Sequence, residues 1–171
     1  MQERLIRIIG LDPGLRRTGW GVIESDGVRL VYVASGVITA EADDDLAYRL
    51  RAIYEGVLGV ITSFNPREAA VEETFVNENP RSTLKLGQAR GMALLAPAMS
   101  GLRVAEYTPN LIKKSVTGTK QQVMAMIKFL LPKSACGSAD EADALAIAIC
   151  HANHRSSPQA QAALSLAKVR V

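Results

Sequence analysis

The chain begins with a short apolar run that ends in a carboxylate and a turn. Residues 5–11 are apolar apart from Arg7, and Asp12-Pro13-Gly14 follows directly. A run of this length that is closed by Pro-Gly is typical of a central β-strand covered on both faces. Asp12 then lies at the strand end, either as a common turn residue or as a functional carboxylate that needs a partner. This stretch alone leaves both interpretations open.

The pattern that follows predicts two more strands, a helix and a fourth strand. Residues 18–25 and 28–38 flank Asp26-Gly27, a hairpin signal, so three sequential strands should pair antiparallel. Residues 43–64 carry apolar side chains at helical spacing, and the acidic residues at the start suit a helix N-terminus. Glu68–Glu72 comes after this helical crossover and should run parallel to the first strand. It too ends in a carboxylate.

The second half of the chain predicts one more strand among four helices. The strand covers residues 102–107, and the helices cover residues 82–99, 109–116, 120–131 and 139–155. Gly87 and Gly91 lie four residues apart in the first of these helices, where glycine is unfavourable, so they indicate close packing. The contact is either with the helix's own sheet or with a second subunit. We expect one domain over residues 1–155 and a poorly ordered tail over residues 156–171.

Composition and charge narrow the function. No secretory signal and no apolar stretch near the ~20 residues of a membrane span are present, and two cysteines suit a reducing cytosol, so we expect a cytoplasmic protein. Residues 41–79 contain nine acidic and three basic residues, whereas residues 81–135 contain nine basic residues and one acidic residue. The segregation favours a basic face that binds a polyanion over a solvated surface, and a phosphate backbone is the obvious candidate.

A second pair of carboxylates lies at the start of the last helix. Ser138 and Glu141 fit a capping box, and Asp140 and Asp143 are neighbours on the helix surface. Asp140 suits simple dipole compensation, but Asp143 precedes a long apolar run and is expected to be buried. Together with Asp12 and Glu72 they form an oxygen-only donor set, which suits Mg²⁺ or Mn²⁺. Beside a basic surface, this predicts phosphodiester cleavage assisted by two metal ions.

Five segments of the chain, taken in their order, resemble the RuvC-type Holliday junction resolvases, a family of ribonuclease H-like nucleases. Each segment alone is a weak signal, and they are spread over nearly the whole domain. The segments are residues 10–14 (GLDPG), 70–75 (AVEETF), 84–91 (LKLGQARG), 107–118 and 139–149 (ADEADALAIAI).

The resemblance implies a fold, an activity and partners. The fold is a ribonuclease H-like α/β domain with a five-stranded mixed sheet and helices on both faces. Asp12, Glu72, Asp140 and Asp143 are implied to be the catalytic, metal-binding carboxylates, holding two Mg²⁺ ions for which Mn²⁺ can substitute. A homodimer would place two paired nicks in a four-way DNA junction during recombination and repair, leaving 5′-phosphate and 3′-hydroxyl ends. The family works beside the RuvA–RuvB branch-migration complex.

The resemblance also suggests DNA contacts. Residues at the positions of Phe75, Lys113 and Lys120 contact DNA in the family, and an aromatic ring can stack on an unpaired base. Phe75 could instead anchor its own loop. Four further cations are either phosphate contacts or solvated surface, namely Arg81, Lys85, Arg90 and Lys114. Only Thr119 separates Gly118 from Lys120, where the family has a longer loop. The short connection reflects either a true deletion or residues missing from the given sequence.

Other functions fit parts of the sequence. A YqgF-like nuclease of ribosomal RNA precursors shares the first strand, and a non-catalytic junction-binding protein would not need four carboxylates. A sugar-kinase-like ATPase would need a longer, two-domain chain. Cys150, His151 and His154 could suggest zinc, but no second cluster at zinc spacing is present apart from lone Cys136, and basic side chains near a helix C-terminus are the simpler explanation.

Overall fold

The protein forms a five-stranded mixed sheet with helices on both faces. The computed structural model describes residues 5–73, 79–116 and 120–155, without the side chains of residues 120 and 121. The elements are β1 (Ile6–Asp12), β2 (Arg17–Ser25), β3 (Leu30–Thr39), α1 (Leu46–Phe64), β4 (Glu68–Glu72), α2 (Pro80–Met99), β5 (Arg103–Tyr107), α3 (Pro109–Val116), α4 (Lys120–Leu130) and α5 (Ala139–His154). The predicted tail over residues 156–171 lies outside the described residues.

The sheet order is β3-β2-β1-β4-β5. Strands β1, β2 and β3 pair antiparallel in sequence order, while β4 pairs parallel to both β1 and β5. The predicted fold, with three antiparallel strands at one side, is therefore confirmed. Because β1 and β4 run parallel, their carboxyl ends meet at one edge of the sheet, and Asp12 and Glu72 end these two strands.

Two hydrophobic cores cover the two faces of the sheet. Helices α1 and α2 pack on one face through residues that include Val57 and Ala93, over Ile9 and Val71. Helices α3, α4 and α5 pack on the other, which makes the central strands apolar on both faces, as their continuous hydrophobic runs predict. No helix in the described part of the chain is long and apolar enough to cross a membrane.

The first helix begins later than predicted. Its first residue is Leu46, and Asp45 is the N-cap residue, with an extended backbone and no side-chain capping hydrogen bond. The acidic residues from Asp43 onward therefore precede the helix, where they still suit its dipole. The helix ends as predicted at Asn65, which adopts the left-handed conformation that precedes Pro66.

Glycines in β1 and β2 form a trough for α5. A Cβ on Gly10 would lie 2.7 Å from the backbone nitrogen of Ala148, and one on Gly19 would lie 3.2 Å from the Cα of Asp140. Helix α5 therefore approaches the strands through its backbone, a separation that no larger residue permits. These glycines therefore allow α5 to pack closely on the sheet.

Candidate active site

Three of the four predicted carboxylates line one pocket at the carboxyl edge of the sheet. Asp12 comes from the end of β1, Glu72 from the end of β4, and Asp143 from the first turns of α5. Lys113 of α3 also lines this pocket, together with apolar side chains that include Ile112. The sequence argument that strand ends and the last helix converge is thus correct for these three residues.

Burial in the pocket and repulsion between its carboxylates raise the pKa of Asp12. Burial, then the charges of Glu72 and Asp143, raise the pKa of Asp12 from 3.8 to about 8, and a hydrogen bond with Glu72 adds to the effect. A proton on Asp12 is therefore favoured at neutral pH, because like charges repel in a partly apolar site. A divalent cation would relieve the same repulsion.

The fourth carboxylate is engaged elsewhere. Asp140 accepts a hydrogen bond from Nε of Arg17 at 2.6 Å, and the two side chains form an ion pair between α5 and the start of β2. Asp140 does not line the pocket of the other three, although its charge contributes to the raised pKa of Asp12. The structure therefore brings Asp140 near the site but turns its carboxylate towards an arginine.

The first turn of α5 is fixed by side-chain hydrogen bonds. The Ser138 hydroxyl accepts from the backbone nitrogen of Glu141 at 3.3 Å, as the N-cap prediction requires. The Glu141 carboxylate accepts from the Ser138 hydroxyl rather than from its backbone nitrogen, and also from Ser35 of β3 at 2.7 Å. These contacts hold the helix end that carries Asp140 and Asp143 against the sheet.

The donor set fits Mg²⁺ or Mn²⁺ by its chemistry. All four groups are carboxylates, and the pKa of Asp12 is raised first by burial and then by the charges of Glu72 and Asp143, which a cation would neutralise. The described part of the chain contains no group of three or more His, Cys, Asp or Glu side chains already arranged to hold a metal ion. Three of the candidate ligands therefore share one pocket, whereas the carboxylate of Asp140 pairs with Arg17.

The predicted DNA-contacting residues differ in their surroundings. Lys113 faces the carboxylate pocket, whereas Arg90 donates from Nε to the Glu72 carbonyl oxygen at 3.2 Å and pairs with Glu106. Arg90 thus supports the end of β4 and is more than solvated surface. Three other cations are exposed, namely Arg81, Lys85 and Lys114. Phe75 and the side chain of Lys120 lie outside the described residues.

The structure contains a buried polar network, between the start of β4 and the end of α5, that the sequence patterns did not predict. The His151 ring bonds Glu68 through Nε2 and the Tyr107 hydroxyl through Nδ1, both at 2.8 Å. Arg155 donates to the same carboxylate at 3.0 and 3.1 Å. Burial opposes ionisation of Glu68, but the hydrogen bonds from His151 and Arg155 outweigh it and lower its pKa to about 2.

This network argues against the hypothesis of a zinc site. His151 is occupied by Glu68 and Tyr107, and the described residues contain no cysteine and histidine cluster that could hold a metal. The signal available in the sequence was a histidine inside the apolar run of the last helix, facing a strand that begins with Glu68.

The sheet order and the acidic pocket together define a ribonuclease H-like domain with a candidate nuclease site. The family model for crossover junction endodeoxyribonuclease RuvC matches residues 8–151, which is most of the chain. The chain belongs to the RuvC family.

Individual relatives agree with this assignment. RuvC from Beijerinckia indica is 58% identical over 164 residues, covering 94% of each chain. RuvC from Methylocella silvestris is 60% identical over 161 residues, covering 92% of each. Among solved structures, T. thermophilus RuvC in complex with a Holliday junction substrate matches with a TM-score of 0.81 at 29% identity, covering 90% of this chain and 96% of that one.

Proposed function

We propose that this protein is an endonuclease that resolves four-way DNA junctions by paired, metal-dependent nicks. The observation that carries the proposal is the convergence of Asp12, Glu72 and Asp143 in one pocket beside Lys113, in a chain of the RuvC family. The products are nicked strands with 5′-phosphate and 3′-hydroxyl ends, which suit ligation during recombination and repair.

The carboxylates Asp12, Glu72, Asp143 and Asp140 would hold two Mg²⁺ ions, or Mn²⁺ in their place. When bound, the ions supply charge neutralisation and activation of water for an in-line displacement at phosphorus. Lys113, at the edge of the same pocket, can bind a phosphate oxygen as a point charge. Apolar side chains that include Ile112, Val123 and Ile147 line the rest of the pocket, and such less polar surroundings strengthen electrostatic interactions.

The four-way junction is favoured as the substrate by the family and by the charge distribution. The exposed cations Arg81, Lys85 and Lys114 lie in the basic half of the chain and are available for phosphate contacts. Phe75, which follows β4 in the chain, and Lys120, at the start of α4, are proposed to contact DNA as well. Arg90 is proposed to act on DNA mainly by supporting the strand end that presents Glu72.

We propose a homodimer that uses the outer face of α2. Leu84, Leu95 and Met99 are exposed there, with Leu84 66% and Met99 70% accessible. A Cβ on Gly87 or Gly91 would meet nothing within 4 Å, so these glycines do not serve packing on the helix's own sheet. A stripe of small residues flanked by leucines suits close approach of a second copy of the same helix.

Cleavage is tested with a synthetic four-way junction, a linear duplex and a structured RNA, each with and without Mg²⁺. We expect paired symmetric nicks in the junction alone and only with metal. D12N should still bind the junction but not cleave it, because its amide keeps the shape of the pocket but cannot release a proton to become a charged metal ligand. D43N, at an exposed aspartate before α1, is the matched control. Preference for RNA would favour a ribosomal RNA nuclease, and cleavage without metal would refute the mechanism.

The dimer is tested by light scattering on G91R, which adds a long cation to the proposed interface. We expect a monomer that nicks one strand at a time. G59R is the control, because Gly59 is an exposed helical glycine on α1 where a Cβ also meets nothing within 4 Å. A wild-type monomer, or a dimer that survives in G91R, would contradict the proposal.

We further propose that the protein acts in the cytoplasm together with a RuvA–RuvB branch-migration complex. Family membership supports both statements, since branch migration delivers a junction to its cleavage site. A co-purification of tagged wild-type protein with the two partners on junction DNA would test the association.

A further inference from the structure

Arg17 forms an ion pair with Asp140, the one predicted metal ligand that does not line the pocket. Its Nε lies 2.6 Å from the Asp140 carboxylate, while Asp12, Glu72 and Asp143 line the pocket together. The arginine side chain is 52% exposed and that of Asp140 is 33% exposed, so both groups have room to move.

The fold explains why residue 17 lies beside Asp140. Residues 17 and 19 of β2 point to the same face of the sheet, since side chains alternate along a strand. Gly19 lies directly beneath the backbone of Asp140, at a separation that only glycine allows. The residue two positions earlier is therefore brought beside the Asp140 side chain, and in this chain that residue is Arg17.

We propose that Arg17 is a resident counter-cation for Asp140 in the metal-free protein and that it competes with the metal ions for this carboxylate. The inference rests on the proposed metal-dependent function. A guanidinium only donates hydrogen bonds, so the lone pairs that it occupies are withheld from a cation. Its positive charge also opposes a divalent ion at the neighbouring carboxylates.

Both effects weaken cation binding, so the proposal is tested by whether the removal of Arg17 raises or lowers the cation affinity. If Arg17 competes, its removal tightens cation binding to the bare protein. If Arg17 merely orients Asp140 for coordination, its removal weakens cation binding. The structure favours competition because the carboxylate faces the arginine and does not line the pocket.

The experiment measures Mn²⁺ binding to the metal-free full-length protein by the electron paramagnetic resonance signal of free Mn²⁺ at low salt. For R17Q we expect about two- to fivefold tighter binding, the range that follows from typical exposed ion pairs. R16Q removes the same charge from the adjacent exposed arginine and should change the affinity less. The difference between the two variants should shrink at high salt, because exposed charges are screened.

A double-mutant cycle with D140N makes the test specific to the contact. In the D140N background, R17Q should lose most of its effect, because the carboxylate that it releases is absent. Unchanged or weaker Mn²⁺ binding in R17Q would overturn the inference, as would an equal gain in R16Q or a full gain in the D140N background.

The outcomes separate this inference from the proposed function. Wild-type protein that cleaves the junction with Mg²⁺ while R17Q binds Mn²⁺ as the wild type does would overturn the Arg17 inference alone. Wild-type protein that binds no Mn²⁺ and cleaves nothing would overturn both.

Discussion

Replacement of Asp12 by Asn should stabilise the folded domain at neutral pH while it abolishes cleavage. Asp12 is forced into a pocket with Glu72 and Asp143, and burial and their charges raise its pKa to about 8 from an ordinary value of 3.8. The folded state therefore binds a proton that the unfolded state has released at pH 7. By linkage, this group's contribution to stability is fully present below pH 3.8 and is lost as the pH rises towards 8.

The size of the effect follows from the shift. From pH 3.8 to pH 7 is about three pKa units, and each is worth about 1.4 kcal/mol, which gives about 4 kcal/mol. This is an upper bound, because the asparagine amide must find its own hydrogen bonds in the pocket and an imperfect fit costs about 1–3 kcal/mol. We expect D12N to be more stable than the wild type by about 1–4 kcal/mol at pH 7.

Urea unfolding between pH 4 and pH 9, at one protein concentration and without metal, checks the prediction. At pH 4 D12N should be no more stable than the wild type, because only the cost of fitting the amide remains, and the difference should shift in favour of D12N up to pH 8. Adding Mg²⁺ should stabilise the wild type by ligand linkage and leave D12N nearly unchanged. D43N should track the wild type. A D12N protein that is less stable than the wild type at pH 8 would refute the electrostatic account of the pocket.

Two further predictions concern the core beneath the site. E68Q should destabilise the domain by about 3–5 kcal/mol at pH 7, because it leaves Arg155 and His151 with an uncharged partner in a buried network. The stability that Glu68 contributes is present above pH 4.5 and is lost as the pH falls towards 2. The free energies of unfolding of E68Q and the wild type should therefore converge in acid. A constant difference between them down to pH 2 would contradict this. G10A should cost about 1–3 kcal/mol in thermal unfolding, since its Cβ meets the backbone of α5. G59A, on an open helix face, should be neutral or stabilising, and equal effects of the two substitutions would show that the contact is not tight.

The sequence patterns were sufficient for the sheet and for part of the site. A hairpin signal ordered the first three strands, and a helical crossover made β4 parallel to β1. From that topology alone, Asp12 and Glu72 had to end at one edge. Asp143 joined them because a long apolar run required its helix to be buried on the sheet.

The partners of the charged groups could not be predicted in the same way. Arg17 and Asp140 are 123 residues apart, and Glu68 and His151 are 83 residues apart. Each pair forms only because α5 lies at one particular height and rotation on the sheet, which close backbone contact with Gly10 and Gly19 determines. Periodicity predicts which face of a helix is buried, but not which strand residue it meets.

The glycine trough under α5 has a consequence for dynamics. Helix α5 lies against the strands backbone to backbone and is buried along most of its length, so its amides can exchange with solvent only when the central sheet opens. In a hydrogen–deuterium exchange experiment, the interior of α5 and the middle of β1 should therefore be the slowest part of the chain and exchange together. The carboxylate of Asp143 would then belong to the part of the fold that opens most rarely. Arg17, at the exposed start of β2, would lie outside that part and move more freely.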